Sequence, residues 1–233
     1  MANAIVRGIL VIQLLVLYGG AAYSASLPQD FANPPGDLEP NSGTGRHDST
    51  IYFPNMRFPL EEGPAFLNSQ VNRPGGEHGG GGGQCDRANY SYPWRDNFCE
   101  SRSWDVDFCP TGHGHQGQDI RPPTCKKDTY WAVAVEDGVV ANVGTYSVTL
   151  QAVNGMLFRY LHINMDELVV GPLDRVKKGA RIGKVSNWFG NTHTTIHLHF
   201  DVKGAIRVGD GRVVSYLPPY TSLVTAYKRL MEP

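Results

Sequence analysis

The residues best suited to chemistry in this 233-residue chain are its histidines. Eight are present, and six of them fall between positions 113 and 199. His115 and Asp119 are four apart, with Gly117 midway. In an extended chain, residues i, i+2 and i+4 share a face, so the imidazole and the carboxylate would point the same way. A residue without a side chain between them leaves room for an ion, and both groups suit Zn²⁺. His197 and His199 flank Leu198 in a strand-like run, which turns both imidazoles to one side and Leu198 and Phe200 to the other. Two histidines on one strand face are costly to bury without a partner or a metal. A third pattern, Arg159-Tyr160-Leu161-His162, puts one more imidazole at a strand end.

The three patterns together are more informative than any one. His115, Asp119 and one of His197 and His199 make three ligands. Three protein ligands with a fourth position open is the layout of a catalytic zinc site rather than a closed structural one. His162 and the remaining member of the pair would then be available as general base and oxyanion stabiliser. The residue types leave open which of His197 and His199 binds the metal.

The elements that must hold these groups read as β-structure. Residues 131–144 are two short apolar runs around Asp137-Gly138, and residues 147–163 are two more around Asn154-Gly155. Both are hairpin signals. Arg181 to Trp188 and Ile196 to Val202 read as further strands, so the chain from 130 to 203 is mostly antiparallel β. At the end, Leu223, Val224, Tyr227, Leu230 and Met231 recur at helical spacing after Pro218-Pro219, with Thr221 or Ser222 as cap, and this helix should cover one face of the sheet.

Residues 1–25 read as a signal peptide: Arg7, an apolar run from Gly8 to Tyr18, then small residues. That run is shorter than the about 20 residues needed to span a bilayer. Residues 26–84, with 27–84 poorly structured, read as a Pro/Gly-rich pro-segment or linker, although the aromatics scattered over 51–71 suit packing on the domain. The run Gly79–Gly83 reads as flexible linker; a sharper alternative has Glu77 or His78 folding over the groove to block the metal. Cys85, Cys99, Cys109 and Cys125 contain no C-x-x-C pair, and an even number in an exported chain implies two disulfides. The least chain reach favours Cys85 with Cys99 and Cys109 with Cys125. A net charge of -1 gives no surplus to attract nucleic acid, and no stable membrane insertion is expected once the leader is removed.

The order of these motifs resembles the lysostaphin/LytM-type zinc endopeptidases: H-x-G-x-D at 115–119, then Asp137 to Val140, Tyr160 to His162, Val176 to Val185, and H-L-H-F at 197–200. The resemblance covers roughly 110 to 205. It implies a mostly β fold, a compact antiparallel sheet domain with a long groove and a C-terminal helix, spanning 85–233 behind a disulfide-stapled start. It assigns His115, Asp119 and His199 as ligands of one Zn²⁺ per chain, His197 as general base, and His162 as the group that holds the water or the oxyanion. His113 lacks an aspartate four residues on, so His115 is kept as first ligand. The stretch Phe189 to Ile196, with its extra His193, departs from the family's usual Ser/Thr-Gly-Pro and bears on groove shape. The implied function is a periplasmic or secreted, monomeric zinc metalloendopeptidase cutting the peptide part of bacterial peptidoglycan. The alternatives are a non-catalytic regulator of other wall hydrolases and a secreted protease acting on proteins. The position of the cysteines around the first ligand pair also suggests that a Cys109–Cys125 bridge could staple that loop.

Overall fold

In the computed structural model, residues 27–232 are described, and the leader expected over 1–25 lies outside them. Twelve strands and one α-helix follow in order: β1 (Phe66–Leu67), β2 (Gly117–Arg121), β3 (Trp131–Val133), β4 (Gly138–Val143), β5 (Ser147–Ala152) and β6 (Leu157–Leu161). Then come β7 (Arg175–Val176), β8 (Arg181–Lys184), β9 (Trp188–Phe189), β10 (Thr192–His193), β11 (Leu198–Val208), β12 (Gly211–Tyr216) and α1 (Tyr220–Met231). The fold is mostly β and antiparallel, with a single C-terminal helix among the described residues. The main sheet runs β1-β2-β11-β6-β5-β4-β7, and β12 pairs the far half of β11.

Alternation along β11 explains its place at the centre of that sheet. Leu198, Phe200 and Val202 turn to the core, where Ile120, Phe158 and Tyr160 of the neighbouring strands meet them, all of them buried. His199 and Asp201 turn to the opposite face. Register then fixes the site: His199 lies opposite Asp119 on β2 and opposite Leu161 on β6, while Asp201 lies opposite Gly117 and Arg159. Directly opposed residues share a face, so Asp119, Arg159, His199 and Asp201 come to one side of three adjacent strands.

Several expectations hold and several are corrected. The hairpin around Asn154-Gly155 is β5–β6, with Gly155 at φ 83°, a left-handed turn position that glycine takes without strain. The runs around Asp137-Gly138 do not pair with each other: β3 joins β8 in a small separate sheet, and β4 joins β5 and β7. The turn therefore links two sheets rather than two arms of a hairpin. Helix α1 forms as expected, but neither Thr221 nor Ser222 caps it. Both hydroxyls are used elsewhere: Thr221 donates to the Asp48 carbonyl, and Ser222 Oγ accepts from the Phe53 amide.

The loose segment expected over 27–84 is instead packed. Phe31, Phe53, Met56, Phe58, Leu60 and Leu67 all enter the core, and β1 adds an edge to the main sheet. Phe31 and Phe58 meet Trp94 and Tyr227 of α1 in one aromatic cluster, with Trp94 and Tyr227 centroids 4.5 Å apart. The reason sequence pattern misses this is physical. The segment satisfies its backbone through isolated bonds to other loops and strands, such as Arg57 N to Val135 O at 2.9 Å and Glu61 N to Trp131 O at 2.9 Å, and so needs no periodicity of its own. The disulfides are Cys85–Cys125 and Cys99–Cys109, which corrects both the sequential pairing and a Cys109–Cys125 staple. Chain reach is a poor guide here, because the fold brings Cys85 beside Cys125, just past the end of β2.

Two outcomes follow from this packing. Proteolytic mapping of the unreduced protein should return peptides joining Cys85 to Cys125 and Cys99 to Cys109; the sequential pair would contradict the fold. Deleting residues 27–84 should abolish cooperative unfolding followed by circular dichroism, since it strips nine buried apolar side chains from the protein; a truncated protein with the full-length midpoint would show that the segment is dispensable.

Candidate metal centre

The four histidines and one aspartate singled out from sequence come together at one place. His115, Asp119 and His199 each offer a ligand atom within 4.8 Å of the others. His197 Nε2 lies 3.4 Å from Asp119 Oδ1, and the His162 and His197 rings are 4.6 Å apart between centroids. All five are buried, at 2 to 7 % exposure, and line the floor of a groove of about 540 Å³. His193 lines the groove at its exposed rim. His113 lies outside the groove, exposed and 3.0 Å from Asp105.

The hydrogen bonds say which nitrogen each ring presents. His115 donates from Nδ1 to the Asn97 carbonyl at 2.9 Å, leaving the Nε2 lone pair free. His199 uses Nε2 against Asp201 Oδ2 at 3.1 Å, leaving Nδ1. These two free nitrogens face each other at 2.9 Å, and Asp119 Oδ1 lies 3.4 and 3.2 Å from them. Two lone pairs and a carboxylate oxygen aimed at one point repel unless a cation lies between them. Their spacing is close to the roughly 3.3 Å edge of a tetrahedron with ligands at about 2.0 Å, the Zn²⁺ distance for nitrogen and oxygen donors. The donor set, two imidazoles and one carboxylate, fits Zn²⁺.

Electrostatics point the same way. Burial would lower the His199 imidazole, but Asp119 and Asp201 outweigh it and raise it to about 9. That is a pocket asking for positive charge at this ring. Burial likewise would raise Asp119, and His115 and His197 hold it well below the usual carboxylate range instead. His162 is driven well below 6.5 by burial and by the neighbouring His197 and His199. His197 is lowered too, by burial, with Asp119 opposing.

A supporting ring holds the ligands, and sequence reasoning missed most of it. Asp201, fully buried, backs His199 and is itself gripped by Arg159 through Nε at 2.9 Å and Nη2 at 2.7 Å. This is the carboxylate–histidine arrangement that fixes a ligand's orientation. A period-two reading of β11 could have found Asp201, two residues beyond His199. Gly117 serves this ring rather than the ion: a Cβ there would come within 2.7 Å of Asp201 Cβ and closer still to the Phe200 carbonyl. Asn97 has no sequence signal at all. Its carbonyl accepts from His115, its Nδ2 donates to Asp119 Oδ2 at 2.9 Å, and its Oδ1 accepts from the Asp119 amide at 3.2 Å. His162 sits at φ 64°, a left-handed conformation costing on the order of 1 kcal/mol for a non-glycine residue. Its amide bond to Tyr146 O at 3.0 Å and its Nδ1 bond to Trp188 O at 2.7 Å keep it there.

With the geometry in place, residues 113–214 match the model of Peptidase family M23. Over that segment the chain resembles peptidase family M23. The segment is less than half of the chain and contains all five site residues. No curated protein sequence matches the chain. Among solved structures, the chain is similar to a protein of Ruminococcus gnavus ATCC 29149 described as a candidate glycyl-glycine endopeptidase, lytM, at 24 % identity and TM-score 0.39. That match covers 48 % of this chain and 46 % of the other, so the chain spans less than half of that relative. It is also similar to the catalytic domain of lysostaphin from Staphylococcus simulans, at 20 % identity and TM-score 0.39 over 55 % of this chain and 89 % of that one. Pseudoalterin, an M23 metalloprotease from the deep sea, matches at 16 % identity and TM-score 0.35 over 52 % and 70 %.

Asn97→Ala tests the supporting ring. It removes the side-chain grip on Asp119 and should weaken Zn²⁺ binding by roughly 10–100-fold in a chelator competition, with the circular dichroism spectrum unchanged. Unaltered affinity would show that Asp119 needs no such support.

Proposed function

We propose that the chain is an exported zinc metalloendopeptidase that hydrolyses peptide bonds in bacterial peptidoglycan. The observation that carries this reading is the convergence of His115, Asp119 and His199 beside His162 and His197, on the floor of one groove within the M23 domain. Export is supported by the leader-like residues 1–25 and by two disulfides, which persist in oxidising compartments. No helix among the described residues is long and apolar enough to cross a membrane. On this reading residues 26–84 are not a detachable linker: Gln70, Gly75, Gly76, Glu77 and Gln84 form one wall of the groove.

His115 Nε2, Asp119 Oδ1 and His199 Nδ1 would hold the ion. Bound there, Zn²⁺ would acidify a water molecule and polarise the scissile carbonyl. His197 donates its Nδ1 proton to the Thr195 carbonyl at 2.8 Å, so Nε2 carries the lone pair. Burial keeps the ring neutral near pH 7, and a neutral imidazole with Nε2 free can take a proton from the attacking water. His162 is built in the same sense: Nδ1 is committed to Trp188 O, and Nε2 is an acceptor. It can orient the attacking water by accepting a hydrogen bond from it through that lone pair, beside the oxyanion that develops. Tyr146 lies nearly parallel to the His162 ring, at 4° and 6.0 Å, and Phe189 edges it at 5.4 Å, which restricts its rotation.

His197→Ala and His162→Ala should each cut hydrolysis of isolated peptidoglycan by roughly 10²–10⁴-fold while one Zn²⁺ per chain is retained by elemental analysis. Full activity in His197→Ala would contradict the assignment of the base.

A further inference from the structure

The family signature accounts for His197 but not for what sets its protonated nitrogen. Two oxygens of Thr195 face His197 Nδ1: the carbonyl at 2.8 Å and Oγ1 at 3.2 Å. The carbonyl only accepts. The hydroxyl can do either, and if its proton turned towards the ring it would favour the tautomer protonated on Nε2, which cannot serve as a base. Gln70 removes that choice. Its Oε1, which can only accept, takes the Thr195 hydroxyl proton, so Oγ1 presents His197 with lone pairs alone. Gln70 is 5 % exposed, and its Nε2 is buried without a partner among the described residues, so the bond through Oε1 is what the carboxamide contributes. Gln84 holds the adjoining residue, accepting from the Ile196 amide at 2.7 Å. Both glutamines precede residue 113, where the match to the M23 family begins.

We infer that Gln70 is a positioning residue for the general base, acting through Thr195 to hold His197 in the Nδ1–H tautomer. The inference rests on the reading of His197 as that base. It assigns the segment ahead of the M23 domain a part in the chemistry, supplied by a residue whose carboxamide bonds Thr195 and none of the metal ligands.

The test uses the full mature chain loaded with Zn²⁺. Gln70→Met keeps the volume and removes the acceptor; Gln70→Glu keeps an accepting oxygen. On solubilised peptidoglycan, Gln70→Met should lower kcat about tenfold, a fraction of what a general base supplies, with KM within about twofold. Gln70→Glu should restore most of the rate. Thr195→Val should show the same loss, and the Gln70→Met/Thr195→Val double variant should be no worse than the poorer single one. In ¹⁵N spectra of histidine-labelled protein, the Nδ1–H signature of His197 should give way to a mixture of tautomers in Gln70→Met. An unchanged tautomer, a loss that Gln70→Glu does not restore, or additive losses would overturn the inference. The spectra report the hold on the ring whatever the activity, so they separate this failure from a failure of His197 as the base.

Discussion

The pairing of β2 with β11 sets His199 directly opposite Asp119, and the site takes its shape from that register. A slip of one residue would send His199 and Asp201 into the core and bring Leu198 and Phe200 to the groove. The register is held by what lies on the other face, where Leu198, Phe200, Ile120 and Tyr160 are fully buried. Apolar packing on one side of the sheet thus fixes a polar constellation on the other. Gly117 is part of the same constraint, since only a residue without a side chain lets β2 pass so close to Asp201. The cost of burying four imidazoles with two carboxylates is then met by pairing each of them, either with another chain group or with a cation.

Part of the support around the site comes from the chain before the M23 domain. Asn97 holds the first two candidate ligands, and Gln70 and Gln84 hold the turn that leads into β11. Cys99 stands two residues from Asn97, and its amide donates to the His115 carbonyl at 3.0 Å. The Cys99–Cys109 and Cys85–Cys125 bridges tie this part of the chain to itself and to the end of β2. The same segment also walls the groove, so site support and groove shape come from one piece of chain.

What sequence reveals here divides along physical lines. Side chains that converge from short spacings are legible: His115 with Asp119, His197 with His199, and His162 at the end of β6. So are the β5–β6 hairpin and α1, whose periodicities are local. The partners of those residues are not. Asn97 acts partly through its backbone carbonyl, and Arg159 reaches Asp201 across a register that no local pattern encodes. The false hairpin at Asp137-Gly138 shows the limit of turn chemistry, which specifies a reversal but not which strand pairs with which. The segment 27–84 shows another limit, because single aromatics buried from loops leave no period to read.

The central claim is that this site cuts peptide bonds of the wall and does so through a bound metal. Its most direct measurement is mass spectrometry of the products released when the disulfide-intact, zinc-loaded protein is incubated with isolated peptidoglycan, beside a chelator-treated control. The account predicts newly cut stem or cross-bridge peptides that vanish with the chelator and return on adding Zn²⁺. Cleavage that persists in the metal-free protein, or no cleavage by a sample confirmed to hold one zinc per chain, would contradict it.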